Sequence, residues 1–424
     1  MKKTLIAVAA AAALATSSAF AEITFGAWLR SVLVPIANDG GDSKDFRAGL
    51  TQSWGGAART SVLGVNWITE DGNAGSTFEI RNPSDGTITM GDRSVMWFKP
   101  VEMLKLSVGL FDSGDNGFRE GWGFGAWNWL RPNRTTNLWF NGDDSIMDGT
   151  GGRSGLMAEL TPIEGLTVMA IVPYATVDNS YVSTDWSYNV YKKTQAGVAY
   201  SIDGIGKVKV LWTGQNEVYK ANDKKYDYMG DIGVAFDLTA VENLYVAVGG
   251  KFSIADKEYC NAVNDKQLEV KVGKTTKKID ANTLGVATIS LAATYNVMEN
   301  LAVSLAGGVK IFRDSDFDPQ FGIGGGIEYG IMDGLKAVAD VRYMSKMKGE
   351  KKVNNVTYEY EEDDAFSFLV GIQKNVANSA SIGIGFEGVT NGAGFAGIPA
   401  GKDKEGKAYD GFMWSVPVVF ELSF

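Results

Sequence analysis

Apolar and polar positions alternate with a period of two over most of the chain. Near the C-terminal end Phe412, Trp414, Val416, Val418, Phe420, Leu422 and Phe424 share one parity, while the other carries Ser415, Glu421 and Ser423. Leu104, Leu106, Val108 and Leu110 alternate with Lys105, Ser107 and Gly109. Tyr226, Tyr228, Ile232, Val234, Phe236 and Leu238 alternate with Asp227, Asp231 and Asp237. Successive side chains of a strand point to opposite faces, so a period of two with one apolar face predicts strands that turn that face to lipid and the other to water.

Between the alternating runs, short turns of one flavour recur: an acid, then Gly or Asn, then the apolar residue that starts the next run. They lie at 70–73, 100–104, 162–166, 202–206, 240–244, 297–301, 331–335 and 375–378, and this is hairpin chemistry. Longer polar connections separate them at 35–58, 113–153, 177–190, 256–282, 346–363 and 391–410, with shorter ones near 83–86, 218–225 and 313–319. Eight tight turns separate nine hairpins. The fold class predicted is all-β: one transmembrane antiparallel β-barrel of eighteen strands, or sixteen if one hairpin is miscounted, with tight turns on the periplasmic side and long loops outside. Trp97, Phe98, Tyr200, Phe236, Tyr245, Tyr295 and Tyr329 lie beside the tight turns, the place of an inner aromatic girdle. A soluble β-sandwich also alternates, but this many strands would divide into domains, and no linker is visible.

Residues 1–21 carry the pattern of a Sec signal peptide. Lys2 and Lys3 form a charged start, Leu5 to Ala15 an apolar stretch too short to span a bilayer as a helix, and Ala19-Phe20-Ala21 a cleavage site. The mature barrel is then expected to run over 22–424, exported to a bacterial outer membrane. No other stretch approaches the ~20 apolar residues of a membrane helix. Gly is abundant at 52 of 424 residues and Pro scarce at 9. Cys260 is the single cysteine, so no disulfide framework is expected and a closed hydrogen-bonded sheet must supply the stability. The chain has no histidine, which removes Ser-His-Asp triads, Cys-His dyads and His-ligated zinc; no catalytic, cofactor-binding or metal site is expected. With Lys2 and Lys3 removed, 38 basic residues face 50 acidic ones, a balance of −12. That argues against nucleic acid as a partner and suits a surface protein or a cation-favouring pore.

Together with the turn and loop alternation, the terminal run Phe420-Glu421-Leu422-Ser423-Phe424 resembles the outer-membrane porins. The stretch Gly91 to Gly109, with Trp97-Phe98-Lys99-Pro100, is similar to spirochaete-type outer-membrane barrels. The porin resemblance implies an assembly signal at Phe420, Leu422 and Phe424 for the barrel-assembly machinery, contact with outer-membrane lipid, and passage of small hydrophilic solutes. Homotrimers are common among such porins. It further implies that the connection 113–153 folds into the lumen as a constriction loop. That loop holds Arg119, Glu120, Arg131, Arg134, Asp143, Asp144 and Asp148 beside Trp122, Phe124, Trp127, Trp129, Trp139 and Phe140. Its tryptophans Trp122, Trp127, Trp129 and Trp139 either pack the loop on the wall or stack sugar rings in transit.

Parity places further charges in the lumen. With Leu29 and Ile80 toward lipid, Arg30, Glu79 and Arg81 point inward, as does Arg93, although Asp92 beside it breaks the parity and suggests a bulge. Lys105, Lys207, Lys209, Asp227, Asp231, Glu328, Asp340, Arg342 and Glu387 follow. Arg30, Glu79, Arg81, Arg93, Lys105, Arg119, Glu120, Arg131, Arg134, Asp143 and Asp144 are the candidate pore-constriction residues. Acids on the loop opposite bases on early strands would set a transverse field that selects solutes by charge; the other outcome is that each is an ordinary solvated group. The acidic run Glu359, Glu361, Glu362, Asp363 and Asp364, downstream of Lys346, Lys348, Lys351 and Lys352, is expected to be solvated rather than a divalent-cation site. The function expected is a passive, modestly cation-selective pore. A surface adhesin or antigen barrel and a sugar-preferring channel are the alternatives. A plug-gated transporter is disfavoured because the strand pattern starts within a few residues of Glu22.

Overall fold

The computed structural model describes residues 21–38, 46–52, 61–82, 88–112, 117–121, 146–147, 153–173, 194–214, 217–221, 224–255, 286–312, 318–353, 356–390, 394–395, 398–399 and 411–423. Every regular element among them is a strand. In chain order these are β1 (Ala21–Asn38), β2 (Phe46–Gln52), β3 (Ser61–Thr69), β4 (Ala74–Asn82), β5 (Thr89–Val101), β6 (Leu104–Phe111), β7 (Arg153–Leu160) and β8 (Leu166–Pro173). There follow β9 (Gln195–Ile202), β10 (Gly206–Thr213), β11 (Glu217–Ala221), β12 (Lys224–Leu238), β13 (Leu244–Ala255), β14 (Val286–Met298), β15 (Leu301–Phe312) and β16 (Gln320–Met332). The last are β17 (Leu335–Met344), β18 (Met347–Val353), β19 (Val356–Glu362), β20 (Ala365–Ala377), β21 (Ala380–Thr390), β22 (Gly394–Phe395), β23 (Ile398–Pro399) and β24 (Phe412–Ser423).

Eighteen of these close one antiparallel barrel, each paired with its neighbours in chain order. Closure is made by β24 against β1, in register from Trp28↔Ser423 to Asn38↔Trp414 with one irregularity between Leu33 and Ile36. An open edge in hydrocarbon would leave a row of unpaired N–H and C=O groups, each costing several kcal/mol, so the last strand must find the first. The other six strands lie in the long connections. β2 runs beside the loop-side half of β1, Asn38↔Phe46 to Ser31↔Gln52; β11 folds back on the start of β12; β18 with β19, and β22 with β23, form hairpins of their own. The connections at 35–58, 218–225, 346–363 and 391–410 therefore contain strand pairing that their polarity concealed.

All eight tight turns join consecutive strands. Their acid–Gly and acid–Asn pairs have a geometric reason: Gly72, Gly165, Gly204 and Gly334 have φ of +66°, +78°, +67° and +67°, and Asn243 has +61°. This left-handed region is open to Gly and tolerated by Asn. In the first turn Asp71 accepts from the Thr69 hydroxyl at 2.6 Å and from the Asn73 N–H and side-chain amide at 3.0 and 2.9 Å. These bonds hold its carboxyl below the usual carboxylate range, with the Thr69 bond the largest cause.

The outward face is apolar and exposed along most barrel strands; on β16 it shows Phe321, Ile323, Ile327, Tyr329 and Ile331. At the loop end of β20, β21 and β24 the rings of Phe366, Phe368, Phe386, Phe412 and Trp414 touch in series, with centroids 5.6–6.4 Å apart. At the opposite rim Phe98, Tyr200, Tyr295 and Tyr329 face outward as the girdle requires. Trp97 and Tyr245 do not. Trp97 shares the inward parity of Val95, opposite to exposed Met96 and Phe98, and lies 5.4 and 5.8 Å from the ammonium groups of Lys99 and Lys105. Tyr245 shares the parity of buried Ala247 and turns to the lumen, where it meets a carboxylate. Position beside a turn does not outweigh the pleat, which fixes the face.

The parity break at Asp92 coincides with an irregularity in pairing: Phe78 faces Ser94, but Ile80 faces Met90. The tightly packed residues lie inside the barrel in two clusters. One gathers Val32, Val34, Ala37, Val338, Leu369, Val389, Met413 and Val419. The other gathers Phe111, Phe118, Ile146, Met147, Met157, Met169, Ile171 and Leu211 with Ala199, Ala235, Ala247, Ala292 and Ala306.

Candidate functional site

β9, β12 and β13 each carry small inward-facing residues: Gly197 and Ala199, Gly233 and Ala235, Ala247 and Gly249. Two short limbs of the connection 113–153, at 117–121 and 146–147, fill the space they leave. A Cβ on Gly197 would come within 2.5 Å of the Phe118 ring, one on Gly233 within 2.9 Å of Met147, and one on Gly249 within 2.7 Å of Ile146. Phe118, Ile146 and Met147 are buried as a result. The limbs also bond to each other: the Glu120 N–H donates to the Met147 carbonyl at 2.9 Å, and the Ile146 N–H to the Glu120 carbonyl at 2.9 Å.

Charge completes the docking. The Lys209 ammonium donates to Glu120 Oε2 at 2.6 Å and to the Arg119 carbonyl at 3.2 Å. It also stands 3.7 Å from Asp237. The Tyr245 hydroxyl donates to Glu120 Oε1, which further accepts from the Gly121 N–H at 3.1 Å. The Lys209 and Glu120 side chains are only 7% and 6% exposed. Removing one partner of such a buried pair strands the other charge and costs about 3–5 kcal/mol. Tyr245 follows the tight turn by one residue of β13, so the limbs reach well down the barrel from the loop end.

The other expected lumen residues are distributed along the wall. Arg30 is buried on β1, 3.3 Å from Glu421; Arg81 pairs with Glu79 at 3.0 Å, Arg93 with Asp112 at 3.8 Å, and Lys105 with Glu159 at 3.3 Å. Lys251 meets Asp231 at 3.3 Å, Lys336 meets Glu328 at 2.9 Å, and Arg342 meets Asp340 at 3.0 Å. Glu387 is fully buried and accepts the Ser415 hydroxyl. Apart from Glu120 of the loop, which meets Lys209, and Glu387, which meets a hydroxyl, these described charges sit in pairs on the same or adjacent strands. Arg131, Arg134, Asp143 and Asp144, the tryptophans Trp122, Trp127, Trp129 and Trp139, Cys260, the signal segment 1–20 and Phe424 lie outside the described residues. Phe420 and Leu422 face outward and are exposed. In the acidic run, Lys346 pairs with Asp363 at 3.2 Å, and the backbone sets Lys348 opposite Glu361. No metal-ligating group of three forms among the described residues.

Sequence reasoning did not anticipate the docking partners: Phe118, Ile146, Met147, the lumen role of Tyr245, or the Gly/Ala track. The track was the available signal, since small residues recur at inward parity on successive strands. On the wall from β16 through β24 to β1 the tight-turn end is polar. A cavity of about 390 Å³ opens at the tight-turn end between β16, β17, β20, β21, β24 and β1. Arg30, Glu328, Lys336, Gln373, Ser381 and Glu421 contribute to its lining.

No protein-family model matches the chain. No curated protein sequence matches it either. Among solved structures it is similar to the anion-selective porin from Comamonas acidovorans, at 11% identity over 95% of this chain and 100% of that one, with a TM-score of 0.51. It is similar also to OccK3 (OpdO) of Pseudomonas aeruginosa, at 10% identity over 95% of this chain and 96% of that one, with a TM-score of 0.50. At these identities the likeness is one of fold: the chain folds as outer-membrane porins and channels do, into a closed transmembrane antiparallel β-barrel.

Proposed function

We propose that this protein is an outer-membrane pore for passive diffusion of small hydrophilic solutes, with the 113–153 loop setting its width. One observation carries this: a closed barrel with an apolar exterior and a charged interior holds the buried limbs of its longest connection against the inner wall. A barrel of this many strands encloses more space than wall side chains can fill, so whatever enters from a loop determines what passes. The pairing of most described lumen charges with near neighbours argues that selectivity is weak. The excess of acids in the mature chain, −12, tips it toward cations, because a low-dielectric channel focuses even a small uncompensated charge. Carboxylates, hydroxyls and amides on the wall need no catalytic role to explain them.

The test is conductance in planar bilayers for the full-length barrel and for a variant lacking residues 121–146. The deletion should raise single-channel conductance severalfold and reduce the distinction between potassium and chloride. An unchanged conductance would remove the loop from the permeation path.

A further inference from the structure

The cavity at the tight-turn end has an ordered wall. Lys336 on β17 is in register with Gln373 on β20, whose side-chain Nε2 donates to Ser381 on β21 at 3.0 Å. Ser381 is in register with Glu421 on β24, and Glu421 with Arg30 on β1. Beyond Lys336, Glu328 on β16 accepts its ammonium at 2.9 Å. One inward rung therefore reads acid, base, amide, hydroxyl, acid, base around the wall. From these placements we infer that the rung is a binding site for small zwitterions of the amino-acid and dipeptide class.

Three features select that class. The rung's charges cancel, so it offers no net attraction to a simple anion or cation, but they are separated along the wall, which suits a solute with a carboxylate at one end and an ammonium at the other. Its two solvent-reaching charges that flank the neutral centre are Lys336, with 35% of its side chain exposed, and Glu421, with 28%. Their strands are three spacings apart, about 14 Å at the backbone, and the side chains converge inward from there. Between them Gln373 is 8% exposed, and its Oε1 has no hydrogen-bond partner among the described residues. A buried unpaired carbonyl oxygen is unfavourable. The terminal amide torsion of Gln is its softest, so a small rotation presents that oxygen to a solute N–H. In the bound arrangement the solute carboxylate joins Lys336, its ammonium reaches Glu421, and its N–H groups donate to Gln373. None of the six rung residues is aromatic; the neighbouring Trp28 donates its indole N–H to Glu421 Oε1 at 2.8 Å and so fixes that carboxylate at the end of the rung.

This site rests on the pore reading, and the experiment separates the two. Channels in planar bilayers are exposed on the tight-turn side to glycylglycine, to N-acetylglycylglycine, which lacks the ammonium, and to erythritol, a neutral polyol. Glycylglycine should reduce ion conductance saturably while the other two at equal concentration do not. Gln373→Leu should raise the half-blocking concentration, read against the variant's own open conductance, at least tenfold; if that variant does not fold, Lys336→Met at the part-exposed pair should do the same. Equal block by all three probes, or a normally conducting variant blocked like the parent, overturns the inference and leaves the pore intact. If the parent does not conduct, the pore reading fails, and equilibrium dialysis of labelled glycylglycine with the detergent-solubilised barrel decides the site: saturable binding lost in the variant supports it, and no binding overturns it.

Discussion

The two sides of the barrel lumen obey the same pleat and reach opposite ends. On the wall from β7 to β15 a track of inward Gly, Ala and medium apolar residues, flanked by Lys209, Asp237 and Tyr245, has a loop packed onto it. On the wall from β16 through β24 to β1, the tight-turn half carries long charged and amide side chains and holds an open polar cavity. The difference lies in volume. A Gly197 or Gly249 leaves room for a ring or an isoleucine from elsewhere in the chain, whereas a Lys336 or Glu421 occupies that room and prefers water beside it. The loop therefore docks where the wall is small, and the polar cavity opens at the tight-turn end of the other wall, whose remaining length packs its own apolar cluster of Val338, Leu369 and Met413.

The largest disturbance of this contrast should come from Lys209→Met. It leaves the Glu120 carboxylate buried with Tyr245 and the Gly121 N–H as its named donors, at a cost of about 3–5 kcal/mol to the docked loop. Single-channel recording should show the loop released, as higher conductance or frequent open-state fluctuation; a quiet channel of parental size would mean that apolar packing alone holds the limbs. A smaller effect is expected from Gly197→Leu, whose side chain would intrude on the Phe118 ring. Overpacking of this kind costs about 1–3 kcal/mol, and it should appear as faster protease cleavage within the loop, with the heat-resistant barrel retained.

On the other wall, Glu328→Gln should change stability by less than about 1 kcal/mol, because the pair with Lys336 is more than a third exposed and solvent-screened. Its thermal transition should be nearly unaltered, in contrast with Lys209→Met. The smallest effect belongs to the first turn. Asp71 has its carboxyl held below the usual range by Thr69 and Asn73. A depressed carboxyl contributes stability that is present above its unfolded value and is lost as pH falls through the folded one. Exchange of the Asn73 amide should therefore accelerate only at acid pH below the ordinary carboxylate range, and Asp71→Asn should abolish that dependence without altering conductance.

Much of the fold was legible in the chain. The parity of Phe412 to Phe424, the acid–Gly turns and the alternation of short and long connections determine the strand number, the antiparallel order and the lipid face. Each depends on local geometry: a pleat with period two and a left-handed residue at a turn. Inward orientation of Arg30, Glu79, Arg81, Lys105, Lys209 and Arg342 followed from the same parity. What parity cannot convey is which inward residues meet across the lumen. Glu120 finds Lys209 and Tyr245 at sequence separations of 89 and 125, and Arg30 meets Glu421 only when β24 closes the barrel against β1. Those meetings depend on shear, closure and the space left by glycines, which are properties of the assembled wall, so tertiary structure alone decided them.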